Sequence, residues 1–203
     1  STLLESYTDA DGVTHSDIGI GPLALGAQTF GVTVRDMTSA FATFANKGIY
    51  REGRTFTKVY DSRGNLVLDN DQEALQILSE KAVNYMNYCL DQAVQFGTGG
   101  GANLGAIAAD GKEVDVAGKT GSTASFRDRW FCGFTNYYTV ATWCGYDYPE
   151  VINMINGGNP ACQLFKKVMS PLHAGRPTAP LYDSEDMIEV RVCMDCGKLA
   201  TDA

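Results

Sequence analysis

The sequence predicts an α+β domain in three layers (α/β/α), an antiparallel β-sheet covered by helices. Three observations carry that prediction. Two capped segments of helical periodicity precede three closely spaced strand signals, and one more capped helix follows. The links between the late strands are too short for a crossover, so those strands pair antiparallel. With 203 residues, 44% hydrophobic and 20% charged, the chain is long enough and apolar enough to bury one core.

The elements follow in order. Thr33 precedes a helical pattern with Val34, Met37, Phe41 and Phe44 on one face. Asp36, three residues after Thr33, resembles a capping box with Asp in place of Glu, and Gly48 supplies the stop. Residues 58–68 read as a hairpin around Asp61, Ser62, Arg63, Gly64 and Asn65. Ser79 opens a second helix with Val83, Met86, Leu90 and Val94 on its buried stripe and Gly97 closing it. The glycine-rich residues 97–101 read as a mobile connector, since a phosphate loop precedes a helix and this run follows one.

Val114 and Val116 alternate with Asp115 and Ala117, which predicts a strand running into residues 118–122. Residues 130–134 and 139–146, rich in aromatic and β-branched side chains, predict a strand pair around Asn136 and Tyr137. Asn159 as N-cap and Pro160 in the first turn start a last helix through Leu164, Phe165 and Val168, with Pro171 as its stop. Pro177 and Pro180 mark a linker to a tail in which residues 188–192 could add one strand.

Sixteen basic against 24 acidic residues give a formal charge of −8, which argues against nucleic acid or an anionic lipid surface as a partner. An anionic ligand must therefore be held by a few well-aimed groups. No apolar run approaches the roughly 20 residues of a membrane span. The chain starts at Ser1 with no signal-like segment and reads as an excised piece of a longer protein. Its six cysteines are too sparse for a disulfide scaffold. Cys193 and Cys196 form the one C-x-x-C. A zinc site there would want a second pair or nearby histidines, and His15 and His173 are far off in sequence, so ordinary thiols are expected.

Gly118, Lys119 and Thr120 invite a P-loop reading, which fails because Glu113 stands where the first glycine belongs and Asp115 would face the phosphates. The alternative is Lys119-Thr120-Gly121, the K-T-G element of serine acyl-transfer enzymes that react with penicillin. Strand alternation puts the hydroxyls of Thr120 and Ser122 on one face, where both can address one carboxylate. Lys119 adds a positive charge, Gly121 lets a substrate backbone approach, and the Ser122 N–H is available to an oxyanion.

Four segments in order surround that element: residues 21–50, 96–102, 116–123 and 129–147. Together they resemble the C-terminal half of the transpeptidase domain of class A bifunctional penicillin-binding proteins, from about Ile18 to Gly175. The resemblance implies a β-lactamase/transpeptidase-like fold present as a partial domain, residues 1–175, with a linker and short tail over 176–203. It implies that Lys119 assists proton movement, that Thr120, Gly121 and Ser122 bind the substrate, and that no metal or organic cofactor takes part. The implied partners are D-Ala-D-Ala stem peptides, β-lactams and the missing N-terminal part of the same domain. The parent is then extracytoplasmic, tethered by an N-terminal helix. Cys132 and Cys144 occupy positions typically aliphatic in the family and are expected to be buried thiols.

One departure matters. No lysine here has serine three positions before it, and no asparagine has serine two positions before it. The nucleophile and proton shuttle of the family, Ser-x-x-Lys and Ser-x-Asn, are expected upstream of Ser1, leaving this chain inactive alone. The rival readings are a D,D-carboxypeptidase or β-lactamase, a non-catalytic penicillin-fold sensor, and an interaction module using the tail around Cys193 and Cys196.

Overall fold

The computed structural model describes residues 3–105, 108–148, 150–185, 187–188 and 190–199. A small hairpin of β1 (Tyr7–Thr8) and β2 (Thr14–His15) leads into α1 (Ile20–Leu25) and α2 (Val34–Ala45). Next come β3 (Ile49–Tyr50), the hairpin β4 (Lys58–Tyr60) and β5 (Leu66–Asp69), β6 (Leu75–Gln76) and α3 (Glu80–Gln95). A 3-10 turn (Gly100–Ala102) precedes β7 (Ala117–Ser122), β8 (Arg129–Phe134), β9 (Thr139–Cys144) and α4 (Pro160–His173).

The caps are those the sequence predicts. Thr33 Oγ1 accepts from Asp36 N–H at 3.1 Å, Ser79 Oγ from Ala82 N–H at 3.2 Å, and Asn159 Oδ1 from Ala161 N–H at 2.9 Å. Each satisfies one of the orphan donors of a helix start, an effect of about 1 kcal/mol. Gly48 adopts φ +87°, and a side chain there would meet Leu78 O at 2.1 Å, so only glycine fits behind α2.

The strands β7, β8 and β9 form one antiparallel sheet in that order. On one face lies α4, where the Phe131 ring meets Phe165 edge-on at 4.7 Å and Thr142 Oγ1 stands 2.9 Å from Ala161 O. On the other face Phe134 and Ala117 pack with Leu90 of α3 and with Phe41 and Phe44 of α2. This is the three-layer α+β arrangement. Phe131 is fully buried, worth about 1.5–3 kcal/mol. Its ring lies over the paired glycines Gly118 and Gly133, where an added Cβ would come within 2.5 and 2.7 Å of it.

The helices differ from the predicted stripes in instructive places. In α3, Met86 faces outward and Asn87 is buried instead, its amide donating to Leu181 O (3.0 Å) and Phe44 O (3.3 Å). In α4, Leu164 and Val168 are exposed, and the buried line is Ala161, Cys162, Phe165, Met169 and His173. The helix also continues through Pro171 to His173 rather than stopping there. His173 holds the helix end in place: Nδ1 donates to Met169 O at 2.7 Å, and Nε2 lies 2.7 Å from Thr135 Oγ1.

Two loop regions are more ordered, or differently formed, than predicted. Residues 97–102 are not a free connector: Gly99 N–H donates to Ala93 O at 2.9 Å, and Ala102 is fully buried in the core. Val114 and Val116 are buried ahead of β7 rather than within it. The segment after α4 returns along α3, where Asn84 and Asp183 exchange two hydrogen bonds of 2.7 Å and Tyr88 meets Tyr182 edge-on. Residue 189, inside the predicted tail strand, lies outside the described residues; Val192 pairs with Leu199 in an isolated bridge.

Candidate functional site

The candidate site is the free edge of β7. Lys119, Thr120, Gly121 and Ser122 are four consecutive residues of this strand, opposite Cys132, Phe131, Trp130 and Arg129 of β8. Thr123 N–H bonds back to Asp128 O at 3.3 Å. Antiparallel pairs alternate between bonded and non-bonded, so the main-chain groups of Thr120 and Ser122 point away from β8, toward the open edge. Their side chains share the face that carries Phe131, as strand periodicity requires.

Lys119 starts on the opposite face and folds around the edge. Its Nζ donates to Thr120 O at 3.1 Å and to Thr120 Oγ1 at 3.3 Å. Among the described residues it has no carboxylate partner, so its charge is directed at the edge rather than neutralised. Gly121 is closely packed: a Cβ there would sit 3.3 Å from the Trp130 Cβ, which would have to give way slightly.

Thr98, from the glycine-rich segment, reaches the same place. Its Oγ1 lies 2.7 Å from Thr120 Oγ1. Sequence reasoning marked that segment but not this residue. Gly97 and Gly99 close-pack on the last turn of α3, where Cβ atoms would meet Ala93 O at 2.8 and 3.0 Å, and so bring Thr98 over β7. The signal was present in the glycines on either side of a hydroxyl residue.

Behind the strand the electrostatics are acidic. Asp91 of α3 is buried and accepts from the side chains of Gln92 and Gln95. Burial, and next the Asp91 charge, raise the Asp115 carboxyl above its usual range, with Lys112 partly offsetting them. Burial pushes the thiols of Cys132 and Cys162 up to about 12 and about 11, which keeps them protonated and inert. Cys132 and Cys144 are both free, and the register sets them opposite Ala141 and Arg129, on different faces of the sheet.

The edge of β7 is an open shelf. Two hollows, of about 320 and 630 Å³, lie elsewhere: one between α2 and the β8–β9 turn, the other between α2, α3 and residues 180–183. Among the described residues no cluster of three or more His, Cys, Asp or Glu side chains could hold a metal ion. The groups assembled at the shelf are a cation, hydroxyls and outward amide groups, a set suited to a carboxylate and to a developing oxyanion.

A three-layer α+β domain with a K-T-G edge strand is the arrangement of proteins that recognise penicillin. The chain belongs to the penicillin-binding protein transpeptidase domain family, which it matches over residues 5–170. It is 31% identical over 199 residues to penicillin-binding protein 1A of Clostridium novyi, covering 97% of this chain and 22% of that protein. It is 32% identical over 145 residues to penicillin-binding protein 4 of Bacillus subtilis, covering 71% of this chain and 22% of that protein. Among solved structures, penicillin-binding protein 1A from Haemophilus influenzae superposes with a TM-score of 0.68 at 20% identity, over 89% of this chain and 32% of that one. The PonA1 protein from Mycobacterium tuberculosis in complex with penicillin V gives 0.58 at 21% identity, over 85% and 46%. The chain thus spans about a fifth of the length of these curated relatives.

Proposed function

We propose that this chain supplies the substrate-carboxylate wall of a peptidoglycan D,D-transpeptidase that works through an acyl-serine. The observation that carries the reading is the β7 edge, where the Lys119 ammonium, the Thr120 hydroxyl and the outward main-chain groups of Thr120 and Ser122 lie together. Thr120 and Ser122 hold the terminal carboxylate of a D-Ala-D-Ala stem peptide or of a β-lactam, and Gly121 leaves room for its backbone. Lys119 supplies the countercharge and assists proton movement. The Ser122 N–H is one oxyanion donor, a group whose loss typically costs about 3 kcal/mol in acyl transfer.

The chain contains no Ser-x-x-Lys, so the nucleophile of this reading comes from residues outside these 203. That serine attacks the penultimate D-Ala carbonyl, expels the terminal D-Ala, and the acyl group passes to an amine of a neighbouring stem peptide. Residues 1–175 are assigned to the transpeptidase domain and 176–203 to a linker and tail. The parent works on the outer face of the cytoplasmic membrane, held there by an anchor that does not come from the described residues, none of whose helices is long and apolar enough to cross a membrane.

A fluorescent penicillin tests this. The 203-residue chain alone forms no adduct that survives denaturing electrophoresis, whereas a longer polypeptide carrying this chain and the upstream region forms one that unlabelled penicillin competes away. Stable, competed labelling of the 203-residue chain overturns the placement of the nucleophile. No labelling of a folded longer polypeptide overturns the catalytic reading in favour of another use of the shelf.

A further inference from the structure

The tail carries two reactive side chains that the β7 shelf does not use. Val192 and Leu199 pair across a tight loop, and Cys193 N–H donates to Lys198 O at 2.8 Å. Inside the loop Gly197 N–H donates to Cys193 O at 2.8 Å, with Gly197 at φ +67°, which closes a five-residue turn over 193–197. Cys196 stands one residue before the end of that turn, and its thiol is within hydrogen-bonding reach of the Cys193 sulfur. A disulfide needs that closeness. Both thiols are free, Cys196 is exposed and Cys193 half-buried.

We propose that Cys193 and Cys196 form a redox-active dithiol, which closes to an intramolecular disulfide by exchange with an organic disulfide. The main-chain N–H groups of Cys196 and Asp195 and the thiol of Cys196 all hydrogen-bond the Cys193 sulfur, and they lower its pKa below that of an ordinary thiol. Cys193 is thus the attacking thiolate. It displaces one thiolate from the organic disulfide, forming a mixed disulfide on Cys193; the expelled thiolate takes up the proton that Cys193 gave up. The Cys196 sulfur then attacks Cys193 Sγ, loses its proton, and releases the second half as a thiol. One disulfide is consumed and one formed, with two thiols released.

The other four cysteines do not share this arrangement. Cys132 and Cys162 are buried, burial also raises Cys144, and Cys89, exposed on α3, has no cysteine within three residues of it in sequence. Two sulfurs on one turn are half of a tetrahedral zinc site, and among the described residues no third ligand joins them.

The test uses the whole chain, reduced and freed of reductant, then treated with glutathione disulfide, blocked with iodoacetamide and digested with trypsin. Arg191 and Lys198 place both cysteines in one peptide, residues 192–198. The expected result is that peptide unalkylated and lacking two hydrogens, while Cys89 carries glutathione. Cys196→Ser is expected to stop at glutathione on Cys193. Full alkylation of both cysteines, or glutathione on each with no internal bond, overturns the proposal. So does a zinc chloride arm in which one zinc ion per two chains protects both thiols from glutathione disulfide, since the turn would then be half of a shared metal site.

Discussion

The hydroxyls of Thr98 and Thr120 lie 2.7 Å apart, joining the glycine-rich turn after α3 to the middle of β7. Thr120 Oγ1 already accepts from Lys119 Nζ at 3.3 Å. A hydroxyl oxygen has two acceptor positions and one proton to give. Either hydroxyl can be the donor of that contact. In the arrangement where Thr98 donates into the second acceptor position, the Thr120 proton is left for a third partner, which in the proposed function is the substrate carboxylate.

Thr98→Val keeps the shape and removes that donor. In a polypeptide that also carries the nucleophile, acylation by penicillin should fall about fivefold, the effect of one hydrogen bond of about 1 kcal/mol. Thr98→Ser should restore it. Stopped-flow acylation with the three proteins checks this, and an unchanged rate in Thr98→Val refutes the role.

The sheet, its antiparallel order and the starts of α2, α3 and α4 were legible because each rests on local chemistry: a hydroxyl or amide cap, or a two-residue period between turn residues; α1, which no side chain caps, was not. The K-T-G strand was legible for the same reason. What sequence reading misplaced depends on partners far away in the chain. Asn87 replaces Met86 on the inner face of α3 because Leu181, 94 residues on, accepts its amide proton. Leu164 and Val168 look like core by type, yet the line from Cys162 to His173 faces the sheet. Thr98 carried a local signal, a hydroxyl residue between glycines, but its partner 22 residues away comes to it only through the close packing of Gly97 and Gly99 on α3.

Gly118 is expected to tolerate no side chain. A Cβ there would stand 2.5 Å from Phe131 Cζ and 2.8 Å from Cys132 O, and the backbone contact cannot yield without opening the β7–β8 pairing. Overpacking of this kind costs about 1–3 kcal/mol. Gly118→Ala should lower the urea midpoint accordingly, with little change in m-value. Gly64→Ala is the comparison: its Cβ would meet nothing within 4 Å, so its cost comes only from φ +84°.

Asp115 makes stability depend on pH. Its folded-state pKa is raised, mainly by burial and then by Asp91, so the folded chain holds the proton more tightly than the unfolded one. Its contribution is therefore complete below the ordinary carboxylate range and is lost as pH rises through the raised value. Asp115→Asn stays neutral throughout. Thermal unfolding should show the variant more stable than the parent at about pH 8 and nearly equal to it at about pH 3, where both side chains are uncharged. A stability difference that is the same at both pH values would show that the carboxyl is not perturbed.

Lys119→Ala separates function from fold at the shelf. The side chain is exposed, and its hydrogen bonds go to the neighbouring residue, Thr120. Its removal should change unfolding free energy by no more than about 0.5 kcal/mol. In a nucleophile-bearing polypeptide the same change removes the cation that the described residues place at the proposed carboxylate position, in a chain of formal charge −8. The acylation rate constant should drop about a hundredfold, the scale of losing a group aimed at developing charge. Lys119→Arg keeps the charge but replaces a compact ammonium with a planar fork that cannot give up its proton. It should recover ground-state binding of a non-reactive D-Ala-D-Ala peptide while leaving acylation slow, if Lys119 moves protons as well as attracting the carboxylate. Full recovery of acylation by Lys119→Arg would limit Lys119 to electrostatic binding, and parental acylation by Lys119→Ala would remove it from the site altogether.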